Sequence, residues 1–236
     1  MIFFIFFIVV ILFLKCIIVD KIHINFRSFF RKGFSKNDDK YGVYCFCGKQ
    51  GAGKTYSLAD SLEEKSSGKT VLCNIRSLCA SHLNYVYMTD FYEIMDTVLA
   101  DKNPSRFIIV FDEIFTLLEK GKLDKKCLSF LSQMRKRNIY LYTTAQEWLE
   151  INVTFRRYVR YQVECKMINI PFLDFAITIN KVNDAYQMKW DNLQNEYVSP
   201  RIQTNIKKCS IKVANSYDTF ETIDVSEPHK KNNYRS

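Results

Sequence analysis

The sequence predicts an α/β domain built on a mainly parallel sheet, and three observations carry that prediction. The first is the apolar run Val43-Tyr-Cys-Phe-Cys47, which leads directly into Gly48-Lys-Gln-Gly-Ala-Gly-Lys-Thr55. The second is Phe107-Ile-Ile-Val-Phe111, an unbroken apolar run ending in Asp112-Glu113. A continuous run of this kind suits a central parallel strand buried on both faces. The third is the alternation of short apolar runs with helical patterns between them, the pattern of strands joined by crossover helices.

Gly48, Lys49, Gln50, Gly51, Ala52, Gly53, Lys54 and Thr55 fit the phosphate-binding pattern G-x-x-x-x-G-K-[ST]. A glycine-rich backbone here curls so that its N–H groups point at an anion. A helix starting near Lys54 adds the partial positive charge of its N-terminus. Lys54 would reach the β- and γ-phosphates of ATP, and the Thr55 hydroxyl would take one position on Mg²⁺. A fortuitous glycine-rich turn is the plainer alternative. The strand before the loop and the helix after it, residues 56–65 ending at Ser66-Ser67-Gly68, favour the phosphate-binding reading.

The chain has 236 residues, is 47% hydrophobic and holds only 7 Gly and 4 Pro, so it has the means to bury a core. Its net charge of +9 favours polyanionic partners or an anionic membrane face. Its 8 cysteines lack zinc-site spacing, which leaves buried free thiols in a reducing compartment as the expectation. Cys45 and Cys47, two apart on a strand, are expected on the same face of the sheet.

Residues 1–19 are apolar apart from Lys15. As a helix they would span about 28 Å, close to the thickness of a bilayer core. A cleavable signal peptide would need a basic leader and a small-residue cleavage site, and neither is visible. A single-pass membrane anchor is therefore expected. Lys21, Arg27, Arg31, Lys32, Lys36 and Lys40 follow it, so the positive-inside rule puts the domain in the cytoplasm. Phe26, Phe29, Phe30 and Phe34 interleave with these cations, as expected either of a segment along the membrane interface or of a simple linker.

Residues 70–75 read as a second strand. Residues 89–100 carry Phe91, Ile94, Met95, Val98 and Leu99 on one helical stripe, with Thr89 in the capping position. Asn103-Pro104-Ser105 breaks the chain before the Phe107 strand. The carboxylates that end that strand have the character of a Walker B pair, Asp112 holding Mg²⁺ through water and Glu113 polarising the attacking water. Residues 124–138 read as a helix with Cys127, Leu128, Leu131 and Met134 inward, residues 139–144 as a strand, and 159–166 as another. Beyond Pro171, residues 175–182 and 185–190 both alternate, with Asn183-Asp184 between them as a turn, which predicts an antiparallel hairpin. The organisation expected is an anchor at 1–19, a basic juxtamembrane linker at 20–41, the ATPase core at 42–168, a β-rich extension at 169–213 and a polar tail at 214–236.

Residues 42–165 resemble the FtsK–HerA superfamily of DNA-pumping P-loop ATPases. More narrowly they resemble its Zot-like branch, which includes the filamentous phage assembly ATPase and lies near the packaging ATPases of membrane-containing viruses. The resemblance rests on Gly48 through Thr55, the Asn74-Ile75 strand end, Phe107 through Glu113, and Arg135 through Gln146. It implies ATP and Mg²⁺ as cofactors, Lys54 and Thr55 as their ligands, and Asp112 and Glu113 as the Walker B pair. It makes Gln146 the sensor of the γ-phosphate and Arg135 an arginine finger acting on the neighbouring subunit of a hexameric ring, with Arg156 and Arg157 as alternates. DNA and virion assembly proteins are the partners it implies, and the lipid bilayer is the partner that residues 1–19 imply. Two departures stand out: Asn138 occupies a position where glycine is usual, and the anchor precedes the ATPase domain. The second leaves genome packaging and phage extrusion both open. A membrane-bound assembly scaffold using ATP as a switch is the alternative of a different class. A small-metabolite kinase would want a substrate lid and gives no reason for an anchor. Lys120, Lys122, Lys125 and Lys126, and Arg156, Arg157 and Arg160, are expected to face DNA or membrane.

Overall fold

The computed structural model describes residues 22–24, 41–114, 123–170, 175–192 and 196–218. The expected anchor at 1–19, the Phe26 to Phe34 series, Lys120, Lys122 and the end of the polar tail lie outside the described residues. Among the described residues no helix is long and apolar enough to cross a membrane.

In chain order the strands are β1 (Ile22–Ile24), β2 (Gly42–Cys47), β3 (Thr70–Cys73), β4 (Tyr85–Tyr87), β5 (Phe107–Phe111), β6 (Tyr140–Ala145), β7 (Val159–Ile170), β8 (Phe175–Asp184), β9 (Lys189–Asp191), β10 (Glu196–Val198) and β11 (Arg201–Lys208). The helices are α1 (Lys54–Lys65), α2 (Arg76–Ala80), α3 (Phe91–Ala100), α4 (Lys125–Gln133), α5 (Val153–Arg156) and α6 (Ile211–Ala214). Nine of these strands form one sheet in the order β1-β11-β8-β7-β2-β6-β5-β3-β4. From β7 to β4 every pairing is parallel. Strand β8 is antiparallel to β7 and to β11, and β1 adds to β11 in parallel. Three residues of the expected juxtamembrane segment thus form an edge strand.

The central strands are buried on both faces, as their unbroken apolar runs require. On one face Cys45, Ile109, Phe111 and Leu141 pack with Ile94, Met95 and Val98 of α3 and Phe130 and Leu131 of α4. On the other, Phe46, Ile108, Val110 and Tyr142 pack with Leu58, Ala59 and Leu62 of α1 and with Leu78 of α2. Each fully buried aliphatic side chain contributes about 1.5–3 kcal/mol of transfer free energy. Cys45 and Cys47 do share a face, with their sulfurs 3.6 Å apart as free thiols. Burial pushes the Cys45 thiol well above its ordinary range, so it is an inert packing group.

Four local readings change. Helix α3 is capped by Asp90 rather than Thr89, because the Asp90 carboxylate is the group that accepts the Tyr92 N–H, at 2.8 Å. Helix α4 ends at Gln133 and a turn carries the chain to Asn138. Its inward stripe includes Phe130, while Leu128 is only half-buried. Most consequential, the predicted hairpin between 175–182 and 185–190 is absent. Strand β8 runs through Asn183-Asp184 and pairs with β7 and β11. Asp184 does not sit in a hairpin turn; it caps a 3₁₀ helix, Ala185–Gln187, by accepting the Tyr186 N–H at 3.0 Å. Strand β9 then pairs with β10 in a separate small ribbon.

The C-terminal strands lock onto α1. Ser57 donates to Asn180 of β8 at 3.0 Å, and the backbone N–H of Ser210 donates to the Tyr56 hydroxyl at 2.6 Å. Lys207 of β11 reaches both Asp60, at 3.0 Å, and Glu64. The polar face of α1 is therefore an internal seam.

Candidate nucleotide-binding site

Parallel strands gather the loops at their C-terminal ends along one edge, where open α/β sheets bind ligands. Strand β6 lies between β2 and β5. That order sets the start of the 48–55 loop, Gln146 and the Asp112-Glu113 pair side by side on that edge.

The loop is shaped by contact as much as by sequence. A Cβ on Gly48 would lie 2.9 Å from the Cys165 carbonyl oxygen and 3.0 Å from Ala52 Cβ, so strand β7 leaves room for glycine alone. Gly53 has φ +79°, and a Cβ there would lie 3.2 Å from Met167 Cβ. It is the residue from which α1 departs with its N-terminus toward the loop. The Gly48 N–H donates to the carbonyls of Ala145 and Gln146 at 3.4 and 3.2 Å, tying the loop to the end of β6. The Lys54 ammonium donates to the Lys49 carbonyl at 3.3 Å, folded back across the loop. Lys49 and Gln50 are exposed, while Thr55 is half-buried in the first turn of α1.

Asp112 is buried at the end of β5 and bracketed by Asn74. The Asp112 N–H donates to Asn74 Oδ1 at 2.7 Å, and Asn74 Nδ2 donates back to the Asp112 carbonyl at 3.1 Å. The Thr144 hydroxyl donates to the Asp112 carboxylate and accepts the Glu113 N–H at 2.9 Å. Thr144 thus holds both members of the carboxylate pair. Glu113 itself sits at φ +53°, in left-handed backbone that costs a non-glycine residue about 1 kcal/mol or more. The Asp112 carboxyl is pushed up to about 6. Burial is the chief cause and the Glu113 charge adds to it; the Thr144 hydrogen bond, the Lys54 charge and the Glu113 N–H oppose it.

A buried carboxylate that resists ionisation beside a lysine and a second carboxylate is suited to a divalent cation, whose charge removes the cost. A loop with no room for a side chain at Gly48 and left-handed backbone at Gly53 is suited to phosphate. The residues present therefore fit both Mg²⁺ and a nucleotide. Asn74 was legible only as a strand end, and its hold on Asp112 has no local sequence signal. The exposed Gln146 side chain lies on the same edge.

Arg135 lies elsewhere. It is exposed in the turn between α4 and β6, at the N-terminal ends of the strands, lining a small cleft with Tyr41, Gly42 and Tyr158. Within one chain it is at the far end of the sheet from the phosphate loop. Arg156, half-buried, and Arg157, exposed, close α5 just before β7 begins, at that same far end. Lys126 is paired with Asp96 at 2.5 Å.

The fold and this edge define a P-loop NTPase-like α/β architecture. The chain matches in structure the N-terminal domain of zonular occludens toxin from Neisseria meningitidis, with 15% identity, a TM-score of 0.49, and coverage of 76% of this chain and 100% of that one. It also matches the genome packaging NTPase B204 from Sulfolobus turreted icosahedral virus 2 in complex with ATP-gammaS, with 11% identity, a TM-score of 0.43, and coverage of 66% and 95%. A third match is the flagellar accessory protein FlaH from Methanocaldococcus jannaschii, with 11% identity, a TM-score of 0.43, and coverage of 61% and 80%. No protein-family model matches the sequence, and no curated protein does.

Proposed function

We propose that this chain hydrolyses ATP and uses the turnover to move DNA, in virion genome packaging or extrusion, while residues 1–19 anchor it in a membrane with the domain on the cytoplasmic side. The observation that carries the hydrolase reading is the Thr144 hydroxyl, which holds Asp112 and the strained Glu113 together beside the phosphate loop. ATP would supply the phosphoryl group, with Mg²⁺ neutralising charge on its phosphates. The N–H groups of 48–55 and the Lys54 ammonium would bind and orient those phosphates. Thr55 and Asp112 would hold the cation. Glu113 would take the proton of the attacking water, and Gln146 would sense the γ-phosphate and couple it to the end of β6.

Glu113→Gln in the full chain is expected to keep ATP binding and lower kcat by about 10²- to 10⁴-fold. Lys54→Ala is expected to lose affinity and turnover together. Near-normal turnover in Glu113→Gln would remove the catalytic assignment. The DNA reading is supported by the net charge of +9 and is tested by the dependence of the wild-type rate on added DNA. A rate indifferent to DNA would make the chain an assembly scaffold with an ATP switch.

The position of Arg135 at the far end of the sheet means that any role at a nucleotide must be played on a neighbouring subunit, as in a hexameric ring. Mixed oligomers of Arg135→Ala and Lys54→Ala chains are expected to regain activity, because some interfaces pair an intact arginine with an intact loop. No rescue in verified mixtures would remove Arg135 from the catalytic set.

A further inference from the structure

At the end of the sheet opposite the phosphate loop, the starts of β2, β6, β7 and β11 and the end of β8 come together. Two adjoining depressions open there, and Tyr186 lines both. One is a shallow groove of about 930 Å³ whose lining includes Tyr186, Lys189, Trp190 and Asp191. The other, of about 160 Å³, is lined by Tyr41, Tyr158, Arg135, Lys136 and Arg160 among others. Among the described residues, four cations line the pair against one carboxylate, Asp191. Asp184 lies close by, with its carboxylate occupied by the Tyr186 N–H and Gln187.

Two of the aromatic rings here are partly open to solvent. Tyr186 is 54% exposed and Trp190 43%. The Arg160 guanidinium lies 5.0 Å from the Tyr186 ring and 5.5 Å from that of Tyr161, which fixes Tyr186 beside a cation. Trp190 is held on the two-stranded ribbon opposite Tyr197. Exposed rings interleaved with cations are the chemistry that holds a strand of nucleic acid. Unstacked bases lie on ring faces, and cations follow the phosphates. A duplex hides its base faces, so it would use the cations and leave the rings idle.

We infer that this groove is a track for single-stranded nucleic acid, with Trp190 and Tyr186 stacking bases and Lys189, Arg160 and Lys136 meeting phosphates. The inference rests on the DNA-moving reading and adds the strand form and the surface. It also gives Arg135 a contact within its own subunit, to a phosphate of the strand. The track and the ATP site then lie at opposite ends of the same parallel strands.

The test measures binding of a labelled oligothymidylate and of a duplex of equal length to the full chain in detergent, across a salt series. The expected result is a preference for the single strand, with Trp190→Ala and Tyr186→Ala each weakening it about 5- to 100-fold. Trp190→Phe should restore binding, because a ring is what the base needs. Lys189→Gln should lower the salt slope by about 0.7, as for one phosphate contact on a single strand. ATPase rates without DNA should be unchanged in all four variants. Single-strand binding that survives both alanine variants, or a preference for duplex, would overturn the track while leaving the DNA reading standing. Failure of the wild type to bind either DNA would overturn both.

Discussion

Asp112→Asn is a substitution whose effect on stability should run opposite to its effect on function. The native state holds the Asp112 carboxyl at about 6 against an ordinary value of 3.8, so the folded protein binds this proton more tightly than the unfolded chain does. The stability linked to that proton is fully present below about pH 3.8 and is lost as the pH rises through about 6. The shift is about two units at 1.36 kcal/mol each, so at pH 7.5 the nucleotide-free protein carries a cost on the order of 3 kcal/mol. Asparagine keeps an oxygen for the Thr144 hydroxyl and carries no charge. Thermal unfolding of the nucleotide-free, magnesium-free full chain at pH 7.5 should therefore show a Tm raised by up to roughly 10 °C, at about 2–4 °C per kcal/mol. Between pH 5 and 7.5 the wild type should lose stability and the variant should lose less. Added Mg²⁺ and ATP should stabilise the wild type more than the variant. A variant less stable than wild type at pH 7.5, or one with an unchanged pH slope, would refute the argument that burial dominates at Asp112.

Substitutions at two further positions test the backbone. Gly48→Ala sets a methyl 2.9 Å from the Cys165 carbonyl, so the loop must shift and nucleotide affinity should fall at least tenfold while the far-UV spectrum is kept; unchanged affinity by titration would show that β7 yields instead. Asn138 has φ +56°, so Asn138→Gly should be neutral or mildly stabilising while Asn138→Ala costs about 1 kcal/mol, read by denaturant midpoints; equal effects would mean that the left-handed turn is not what selects the residue.

Asn138 also shows what the sequence made legible. A residue out of place against a glycine pattern is, in the structure, one of the few non-glycine types that tolerate left-handed backbone. The 48–55 loop and the Asp112-Glu113 pair could be singled out because contiguous residues carry each pattern. Gln146 was singled out by the family resemblance, and it follows directly on β6 at the same edge of the sheet. The role of Asn74, which holds Asp112 by both amide atoms, was not legible, because it depends on β3 lying beside β5. The C-terminal half was misread for a similar reason. Alternation in 175–182 marks a strand but names no partner, and Asn183-Asp184 resembles a turn. The partner was β7, whose own length beyond Lys166 is set by pairing with β8. Likewise, nothing near Ser57, Asp60 or Glu64 announces that Asn180 and Lys207 will cover them.

The central place of β2 has a consequence for how the protein is made. Its sheet neighbours are β6 and β7, so residues 42–47 have no strand beside them until 140–145 and 159–164 have been synthesised. At about 5–20 residues per second that interval is on the order of ten seconds. Throughout it, an apolar strand and the loop behind it wait without shelter. The seam over α1 closes later still, once Lys207 is in place. In a nascent chain of this topology the 48–55 loop takes its shape only after β6 and β7, which border it, have been made.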